Sequence, residues 1–475
     1  MFKQLFFDDQ RLFVRENLDR SYGTPELVGT YRDAKIHTSY CWGWGIRGLD
    51  GKIHLLYQGY EAGYNHIITA AAISDDGIHF EPRNTASQAG IEKARLPNQL
   101  LPCTLDGSEI ATVIEDPFCA ESERYKILFS DNCLTHTQCL VTDYIYTSPD
   151  LIHWKKKPNS CWNPRGTEPL AGAFYNNVSQ KFTIMSRPDW GQRRVGITET
   201  SDWQTYTPLE MCLQVDSLDP ALAEIYGMSA IAHENIFIGF PHIYTGFPQI
   251  RRTKFVGGTM HVELSYSLNG RHWQRSLRTP FLSGKHPQLI ERDGVPAKML
   301  YVNSVLMQED GSLLLYTTTS RHEHGYPSEK VVFGDTSVSI FRLRKDGFIQ
   351  LNTVDDKTIG RIAMREIAWF GDELHVNLTC KSATCAVYAE VGDDKAPIAG
   401  MSHEECVPFT GDSSDWKPQW TSGVQLSSLK EKVIIIEIKM TDGSIYSISG
   451  DGIQLMNIEA SRYRRFKSLP PKLGF

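Results

Sequence analysis

Short apolar runs bounded by turn residues recur along the first 350 residues and predict β-strands. Five of these runs are rich in β-branched and aromatic residues: IHLLYQGY (53–60), YKILFSDN (125–132), KFTIMSRP (181–188), IFIGFPHIY (236–244) and SLLLYTTTS (312–320). Another apolar run precedes each of them: CWGWGIRG (41–48), IATVIEDPF (110–118), EPLAGAFYN (168–176), YGMSAIAHE (226–234) and KMLYVNSVLM (298–307). The spacing therefore predicts a strand pair that is repeated five times.

A turn motif follows each strand pair. Its copies are SDDGIHF (74–80), SPDLIHW (148–154), SDWQTY (201–206), SLNGRHW (267–273) and a degenerate FRLRKDGF (341–348). Asp-Gly and Asn-Gly adopt turn conformations at low cost, so the motif is read as structural rather than catalytic. The repeated unit predicts an all-β fold, with a five-bladed β-propeller over residues 1–350. An unrelated array of β-sandwiches is the alternative.

The repeat stops after about residue 350, and the chain stays rich in predicted strands. Five runs, REIAWFG, ELHVNLTC, CAVYAEV, VIIIEIKM and SIYSIS, follow one another there. The alternation in ELHVNL has the period of two that is expected of a half-buried strand. These runs predict that a C-terminal β-sandwich over residues 351–475 follows the propeller, and that it ends in the basic arm RYRRFKSLPPKLGF.

Charge and composition exclude several classes of partner. Lys and Arg number 49 against 56 Asp and Glu, a net charge of −7, which argues against a nucleic-acid partner. No apolar run is long enough to span a membrane, and the first residues do not resemble a secretory signal, so we expect a cytoplasmic protein. The ten cysteines form no CxxC pair, which favours reduced thiols and predicts no metal and no cofactor. The sequence leaves homo-oligomer formation open.

Carboxylates on the predicted inner strands are the strongest candidates for chemistry, because polar groups at the ends of these strands converge on a propeller's axis. They are Asp116, Glu168 and Glu224, and Asp33 precedes the first inner strand. Glycosidic cleavage needs two or three carboxylates in one pocket, because one protonates the leaving oxygen while another acts as nucleophile or activates water. The alternative for each of these carboxylates is a structural role, in which it stabilises a turn or caps a strand.

Several short motifs resemble those of the five-bladed propeller glycosidases, glycoside hydrolase family 32, with family 43 as distant kin. Glu115-Asp116-Pro117 is similar to their Arg-Asp-Pro motif, and this resemblance implies that Asp116 steadies the transition state and that Glu168 is the general acid. Phe7-Asp8-Asp9, the Glu-Ile-Tyr-Gly-Met run at 224–228 and FRLRKDGF resemble a group of bacterial proteins described only as family 32-like. The family's nucleophile motif is not reproduced in this sequence. Asp33 is therefore predicted as the base or nucleophile in place of the residue that the motif supplies.

Further residues complete the predicted binding pocket. Trp42 and Trp44 are candidates for stacking on a sugar, with Gly43 and Gly45 leaving room beside them. The other predicted substrate-binding residues are Glu224, Arg187, His242, Arg251 and His322. We therefore expect an exo-acting glycoside hydrolase with a small glycan as its substrate. The alternatives are a phosphorylase or transglycosylase that uses Arg251, Arg252 and His242 as an anion clamp, and a non-catalytic carbohydrate-binding propeller.

Overall fold

The computed structural model describes most of the chain in two compact units, Pro25–Leu343 and Met1–Thr24 with Arg344–Phe475. The described residues are 2–36, 42–60, 66–105, 108–131, 142–158, 162, 166–188, 190–247, 257–326, 330–389 and 395–466. Within these ranges, the side chains of residues 66, 104, 105, 108, 131, 142, 143 and 166–171 are not described.

The unit Pro25–Leu343 is a five-bladed β-propeller, as predicted. Its first blade contains β5 (Trp42–Arg47), β6 (Ile53–Tyr60), β7 (His66–Ser74), β8 (Glu81–Pro82) and β9 (Thr104–Leu105). The second contains β10 (Ser108–Glu115), β11 (Tyr125–Asp131), β12 (Thr142–Ser148) and β13 (Lys155–Lys156). The third contains β14 (Gly166–Asn176), β15 (Lys181–Pro188), β16 (Val195–Thr200) and β17 (Glu210–Leu213).

The fourth and fifth blades follow the same antiparallel plan. The fourth contains β18 (Ala223–His233), β19 (Ile236–Gly246), β20 (Gly258–Val262), β21 (Ser265–Ser267) and β22 (Gln274–Arg275), and helix α1 (Pro287–Asp293) follows it. The fifth contains β23 (Met299–Met307), β24 (Leu313–Ser320), β25 (Thr336–Leu343) and β4 (Glu26–Tyr31). Strands β6 and β15 have the bounds that the sequence predicted, since turn residues flank both apolar runs.

The fifth blade takes its outer strand from the beginning of the propeller's own chain segment. Strand β4 pairs antiparallel with β25, with Tyr31 opposite Val338. The degenerate fifth turn motif, predicted at 341–348, is therefore not a blade turn, because β25 ends at Leu343 and Arg344 begins the other unit. Pairing of the first strand of this unit with its last blade closes the ring of blades.

The other four turn motifs share one hydrogen-bond pattern. In the first, the backbone N–H groups of Ile78 and His79 donate to Asp76 Oδ1, and the N–H of Gly77 donates to Ser74 Oγ at 2.9 Å. The equivalent acceptors in blades 2, 3 and 4 are Ser148 and Asp150, Thr200 and Asp202, and Ser267 and Asn269. The repeat therefore encodes a side-chain-capped turn, which is a structural role.

Gly45 of β5 is required by close packing between blades 1 and 5. A Cβ atom at this position would lie 2.1 Å from the ring of Tyr316, whose hydroxyl donates to the Gly77 carbonyl at 2.9 Å. Gly43 is similar, because its Cβ would lie 2.5 Å from Val338 Cγ2. The two glycines therefore admit side chains of blade 5, and the prediction that they leave room for a ligand beside the tryptophans is corrected.

Replacing Gly45 by Ala is expected to lower the free energy of unfolding by about 1–3 kcal/mol, since the Tyr316 ring must move to admit a methyl group. Gly246→Ala is a suitable control, because its Cβ would meet nothing closer than 3.4 Å. Urea unfolding of both variants measures the difference. Equal midpoints for Gly45→Ala and the wild type would refute the packing argument.

The second unit is one connected eight-stranded sheet. Its strands are β1 (Phe2–Leu5), β2 (Leu12–Glu16), β3 (Leu18–Tyr22), β26 (Ile349–Thr353), β27 (Gly360–Met364), β28 (Ile367–Tyr388), β29 (Phe409–Trp416) and β30 (Lys432–Gln454), and helix α2 (Asn457–Phe466) follows them. The five runs predicted as separate strands belong to two long ones, β28 and β30. These run in opposite directions, with Leu374 opposite Gly450 and Tyr388 opposite Ile435.

The chain segments that form this unit differ from those expected from the predicted division at residue 350. The first three strands belong to it, and a buried ion pair between Lys3 and Asp346, 3.0 Å long, joins its two chain segments. The amphipathic pattern at the amino terminus does not reveal this pairing, because β1 is hydrogen-bonded to β30, more than 400 residues away in the sequence. The structure shows a connected sheet here, and its description as a β-sandwich stays a prediction.

Candidate active site

The five inner strands run in the same direction, so the propeller has an amino end and a carboxyl end. The Gly45 N–H donates to Ser304 Oγ at 2.9 Å, which places the middle of β5 beside the middle of β23. A Cβ on Gly172 of β14 would lie 2.7 Å from the Cα of Ser229 in β18. The first residues of all inner strands therefore lie towards one end of the propeller, and a shared site requires residues from that end.

Aromatic rings from three blades meet at the amino end. Trp42 is the first residue of β5, and its ring centroid lies 4.7 Å from that of Tyr301 in β23. Tyr226 of β18 lies 5.9 Å from Tyr301 on another side. Trp42 and Tyr226 each keep a small exposed fraction, 6% and 8%, while Tyr301 is fully buried. The predicted candidate Trp42 is thus placed among flat surfaces of the kind that stack on sugar rings.

Two guanidinium groups from blade 3 pack against Tyr226. The Cζ atom of Arg187 lies 4.6 Å from the Tyr226 ring centroid, and Arg187 Nη1 donates to the Tyr226 carbonyl at 3.2 Å. The Cζ atom of Arg193 lies 5.1 Å from the same centroid. Burial lowers the pKa of Arg187 from its ordinary value, but a guanidinium keeps its charge under all working conditions.

Glu224, the second residue of β18, holds one of these guanidinium groups. Arg193 Nη1 donates to Glu224 Oε2 at 2.6 Å, and the Arg193 backbone N–H donates to Oε1 at 3.2 Å. Burial works to lower the pKa of Arg193, but the Glu224 carboxylate and the nearby tyrosines raise it above its ordinary value. The structure therefore brings the predicted residues Glu224, Arg187 and Trp42 to the same end of the propeller.

His324 completes the contacts of Tyr226. Its Nε2 atom lies 2.9 Å from the Tyr226 hydroxyl oxygen. Its ring packs edge-on against Tyr226 and Tyr244, with centroid distances of 5.2 Å and 5.3 Å. The sequence pointed to His322 instead, which pairs with Asp335 at 2.7 Å and stacks on Tyr326, and its substrate-binding role stays a prediction.

The predicted general acid Glu168 is placed by its backbone. It is the third residue of β14 and lies opposite Arg187 in β15. Glu109, the second residue of β10, has the equivalent place in blade 2, and its negative charge works to raise the pKa of Arg187. Sequence reasoning missed Glu109 because the predicted strand began one residue later, at Ile110.

Asp116 lies at the other end of the propeller, so its predicted catalytic role is wrong. It follows the last residue of β10, and its carboxylate binds Lys126 Nζ at 3.0 Å and the Trp203 indole N–H at 2.7 Å. Phe118 stacks near Tyr175, the penultimate residue of β14, which confirms that this is the carboxyl end. Asp116 forms a buried ion pair within blade 2 and joins blade 3 through the hydrogen bond from Trp203.

Asp33 is held by hydrogen bonds between blades 1 and 5. Its carboxylate accepts from the Tyr57 hydroxyl at 2.5 Å, from Asn98 Nδ2 at 3.2 Å and from the Lys35 N–H at 2.9 Å. The Tyr57 hydroxyl also accepts from Tyr31, and the carboxylate and burial raise the pKa of Tyr57. No recorded contact of Asp33 in the described residues reaches the Tyr226 cluster, so its role as base or nucleophile is not supported.

Trp44 and His242 are buried in the propeller. Trp44 is 1% exposed within the core shared by blades 1 and 2, so its predicted stacking role is corrected. His242 lies under Tyr301, its Nε2 is 3.3 Å from the Val302 carbonyl, and burial lowers its pKa to about 4. A neutral imidazole does not hold an anion by charge, so the anion clamp loses this member. Arg251, Arg252 and Asp189 lie outside the described residues.

The described ranges contain no helix long and apolar enough to cross a bilayer. Within the same ranges, no group of three or more His, Cys, Asp or Glu side chains is arranged to hold a metal ion. The six cysteines that the structure describes, among them Cys119 and Cys212, are free thiols.

Comparisons with known proteins give structural neighbours only. Neither a scan against protein-family models nor a search of curated proteins finds a match. A glycosyl hydrolase from Bacteroides ovatus is 12% identical, over 68% of this chain and 94% of that chain, with a TM-score of 0.40. A thermostable family-43 glycoside hydrolase is 13% identical, over 71% and 98%, with a TM-score of 0.43.

A third neighbour comes from work on the GH130 family of mannoside phosphorylases, which contains glycoside hydrolases that target β-1,2 mannosidic linkages. It is 14% identical over 70% of this chain and 97% of that chain, with a TM-score of 0.41. The resemblance to family 32 stays a prediction.

Proposed function

We propose that this chain is an exo-acting glycoside hydrolase whose site lies at the amino end of the propeller. The observation that carries the proposal is the placement of three carboxylate residues in successive blades. Glu109 and Glu224 are the second residues of β10 and β18, and Glu168 is the third residue of β14. Acidic residues at equivalent positions of neighbouring inner strands supply the acid and base groups that glycosidic cleavage requires.

The remaining residues of the site fit a sugar. Trp42 and Tyr226 keep an exposed fraction of their aromatic side chains, and such faces pack on the C–H surfaces of a pyranose or furanose ring. Arg193 and Glu224 form an ion pair beside them, which offers both donors and acceptors for sugar hydroxyls.

The roles that we assign follow from position. Glu168 is the general acid, and it protonates the oxygen of the leaving group. Arg187 lies opposite Glu168 in the β-sheet register. Trp42 binds the terminal sugar, and Glu224 orients Arg193.

The proposal is tested by incubating the protein with 4-nitrophenyl α- and β-glycosides and with natural oligosaccharides, with and without phosphate. Release of one terminal sugar at a time, independent of phosphate, is the expected result. Sugar phosphates formed only with phosphate present would identify a phosphorylase. Saturable binding of a glycan without cleavage would identify a non-catalytic binding protein, and either result would overturn the hydrolase assignment.

A further inference from the structure

The site contains a tyrosine whose surroundings stabilise a negative charge on its oxygen. Tyr226 is 8% exposed, its hydroxyl oxygen lies 2.9 Å from His324 Nε2, and the guanidinium groups of Arg187 and Arg193 lie 4.6 Å and 5.1 Å from its ring centroid. A cation over an aromatic face attracts its electrons, and a phenolate gains more from this contact than a phenol does.

His324 is positioned to exchange a proton with this oxygen. Its ring lies against both Tyr226 and Tyr244, and its backbone N–H donates to the Gly258 carbonyl at 3.1 Å. A neutral imidazole accepts a proton on Nε2 when the proton is carried on Nδ1, so the pair forms a hydroxyl with an adjacent base. This is the arrangement that activates weak oxygen nucleophiles in enzymes.

Three of the carboxylates that the sequence predicted for the site are held by other partners. Asp116 is at the opposite end of the propeller, and both oxygens of Glu224 accept hydrogen bonds from Arg193. Asp33 accepts from Tyr57, Asn98 and a backbone N–H. Tyr226, by contrast, belongs to the same cluster as Trp42 and Tyr301 and keeps an exposed fraction there.

We propose that Tyr226, with His324 as its base, is the nucleophile of a retaining glycosidase; this inference rests on the proposed function. In the first step the Tyr226 oxygen bonds to the anomeric carbon and its proton passes to His324 Nε2. The glycosidic C–O bond breaks, and the leaving oxygen takes a proton from Glu168. In the second step water gives a proton to Glu168 and bonds to the anomeric carbon, while the tyrosine oxygen leaves and recovers its proton from His324.

The stereochemical outcome tests this assignment without mutation. Proton NMR of the first product, recorded before mutarotation, is expected to show the anomeric configuration of the 4-nitrophenyl glycoside that was cleaved. Two displacements at one carbon retain its configuration, whereas a single attack by water inverts it. An inverted first product would overturn the nucleophile assignment and leave the hydrolase assignment standing.

Variants separate chemistry from folding. Tyr226→Phe removes the nucleophilic oxygen and is expected to lower kcat by about 10³-fold with little change in KM, and His324→Gln by about 10²-fold. Tyr266→Phe is the matched control, because Tyr266 is 6% exposed in the same blade and its hydroxyl donates to Gln274 Oε1 at 2.8 Å. We expect its kcat to stay within about twofold of the wild-type value, since it lies outside the cluster.

Trapping identifies the atom that forms the bond. The wild-type enzyme is denatured in acid during turnover of its best 4-nitrophenyl glycoside, and its peptides are analysed by mass spectrometry. A glycosyl group on the peptide that carries Tyr226, absent from Tyr226→Phe, is expected. A glycosyl group on a carboxylate peptide, or full activity of Tyr226→Phe, would refute the assignment. If no glycoside is cleaved by the wild type, the proposed function fails and the assignment fails with it.

Discussion

Glu168→Gln is expected to lower kcat for a natural oligosaccharide by about 10³-fold, because an amide has no acidic proton for the leaving oxygen. The loss should be smaller for a 4-nitrophenyl glycoside, whose leaving group is stable as an anion and needs little protonation. The dependence on the leaving group therefore separates a general acid from a residue that only binds substrate. Steady-state kinetics with both substrates measures it.

Glu115→Gln is the matched control for this variant. Glu115 is the last residue of β10, on the blade next to Glu168, and it pairs with Arg124 at 2.6 Å at the carboxyl end of the propeller. The same chemical change should leave kcat unaltered there, because the residue is far from the amino end. Equal kcat losses in both variants, or activity of Glu168→Gln within tenfold of the wild type, would contradict the assignment of the general acid.

The propeller could be predicted from the sequence because its signals are local. An apolar run between turn residues defines β6 and β15, and a Ser followed by Asp or Asn defines the capped turn in four blades. Closure by β4 could not be predicted in this way, since its partner β25 lies about 300 residues further along the chain. A strand pairing of that separation leaves no pattern within either segment.

The candidate site was predicted only in part, because a strand pattern does not reveal which end faces the ligand. Glu168 and Asp116 both stand at the limits of apolar runs, yet one begins its strand and the other follows its strand. Trp42 keeps 6% of its surface exposed, whereas Trp44, two residues further along the same strand, is only 1% exposed. The sequence pointed to His322, whereas the structure shows that His324 contacts Tyr226 and His322 pairs with Asp335.

Two neighbouring carboxylates, Asp116 and Glu115, form ion pairs that differ in burial. Asp116 and Glu115 are consecutive, yet their partners Lys126 and Arg124 give one buried and one exposed ion pair. The side chains of Lys126 and Asp116 are 0% and 4% exposed, whereas those of Arg124 and Glu115 are 27% and 38% exposed. These two ion pairs are adjacent. Comparing variants of Lys126 and Arg124 therefore tests how burial changes the contribution of an ion pair to stability.

Lys126→Met is expected to lower the free energy of unfolding by about 3–5 kcal/mol, because it leaves the Asp116 carboxylate buried without its cation. Trp203 and the Phe118 N–H still donate to this carboxylate but do not neutralise it. Arg124→Met removes the partner of Glu115 and should cost far less than Lys126→Met, since that pair is solvent-exposed. Urea unfolding at neutral pH measures both variants.

The pH dependence gives the same pair a second test. Burial works to raise the pKa of Asp116, but hydrogen bonding to Lys126 and its charge outweigh burial and hold the pKa below its ordinary value. A carboxyl whose pKa is lowered by folding contributes stability that is complete above its unfolded pKa, about 4, and is lost as the pH falls through the lower folded value. The difference in unfolding free energy between wild type and Lys126→Met should therefore shrink below about pH 4. A difference that stays constant from pH 7 to pH 2 would show that lost packing, rather than charge pairing between Asp116 and Lys126, causes the destabilisation.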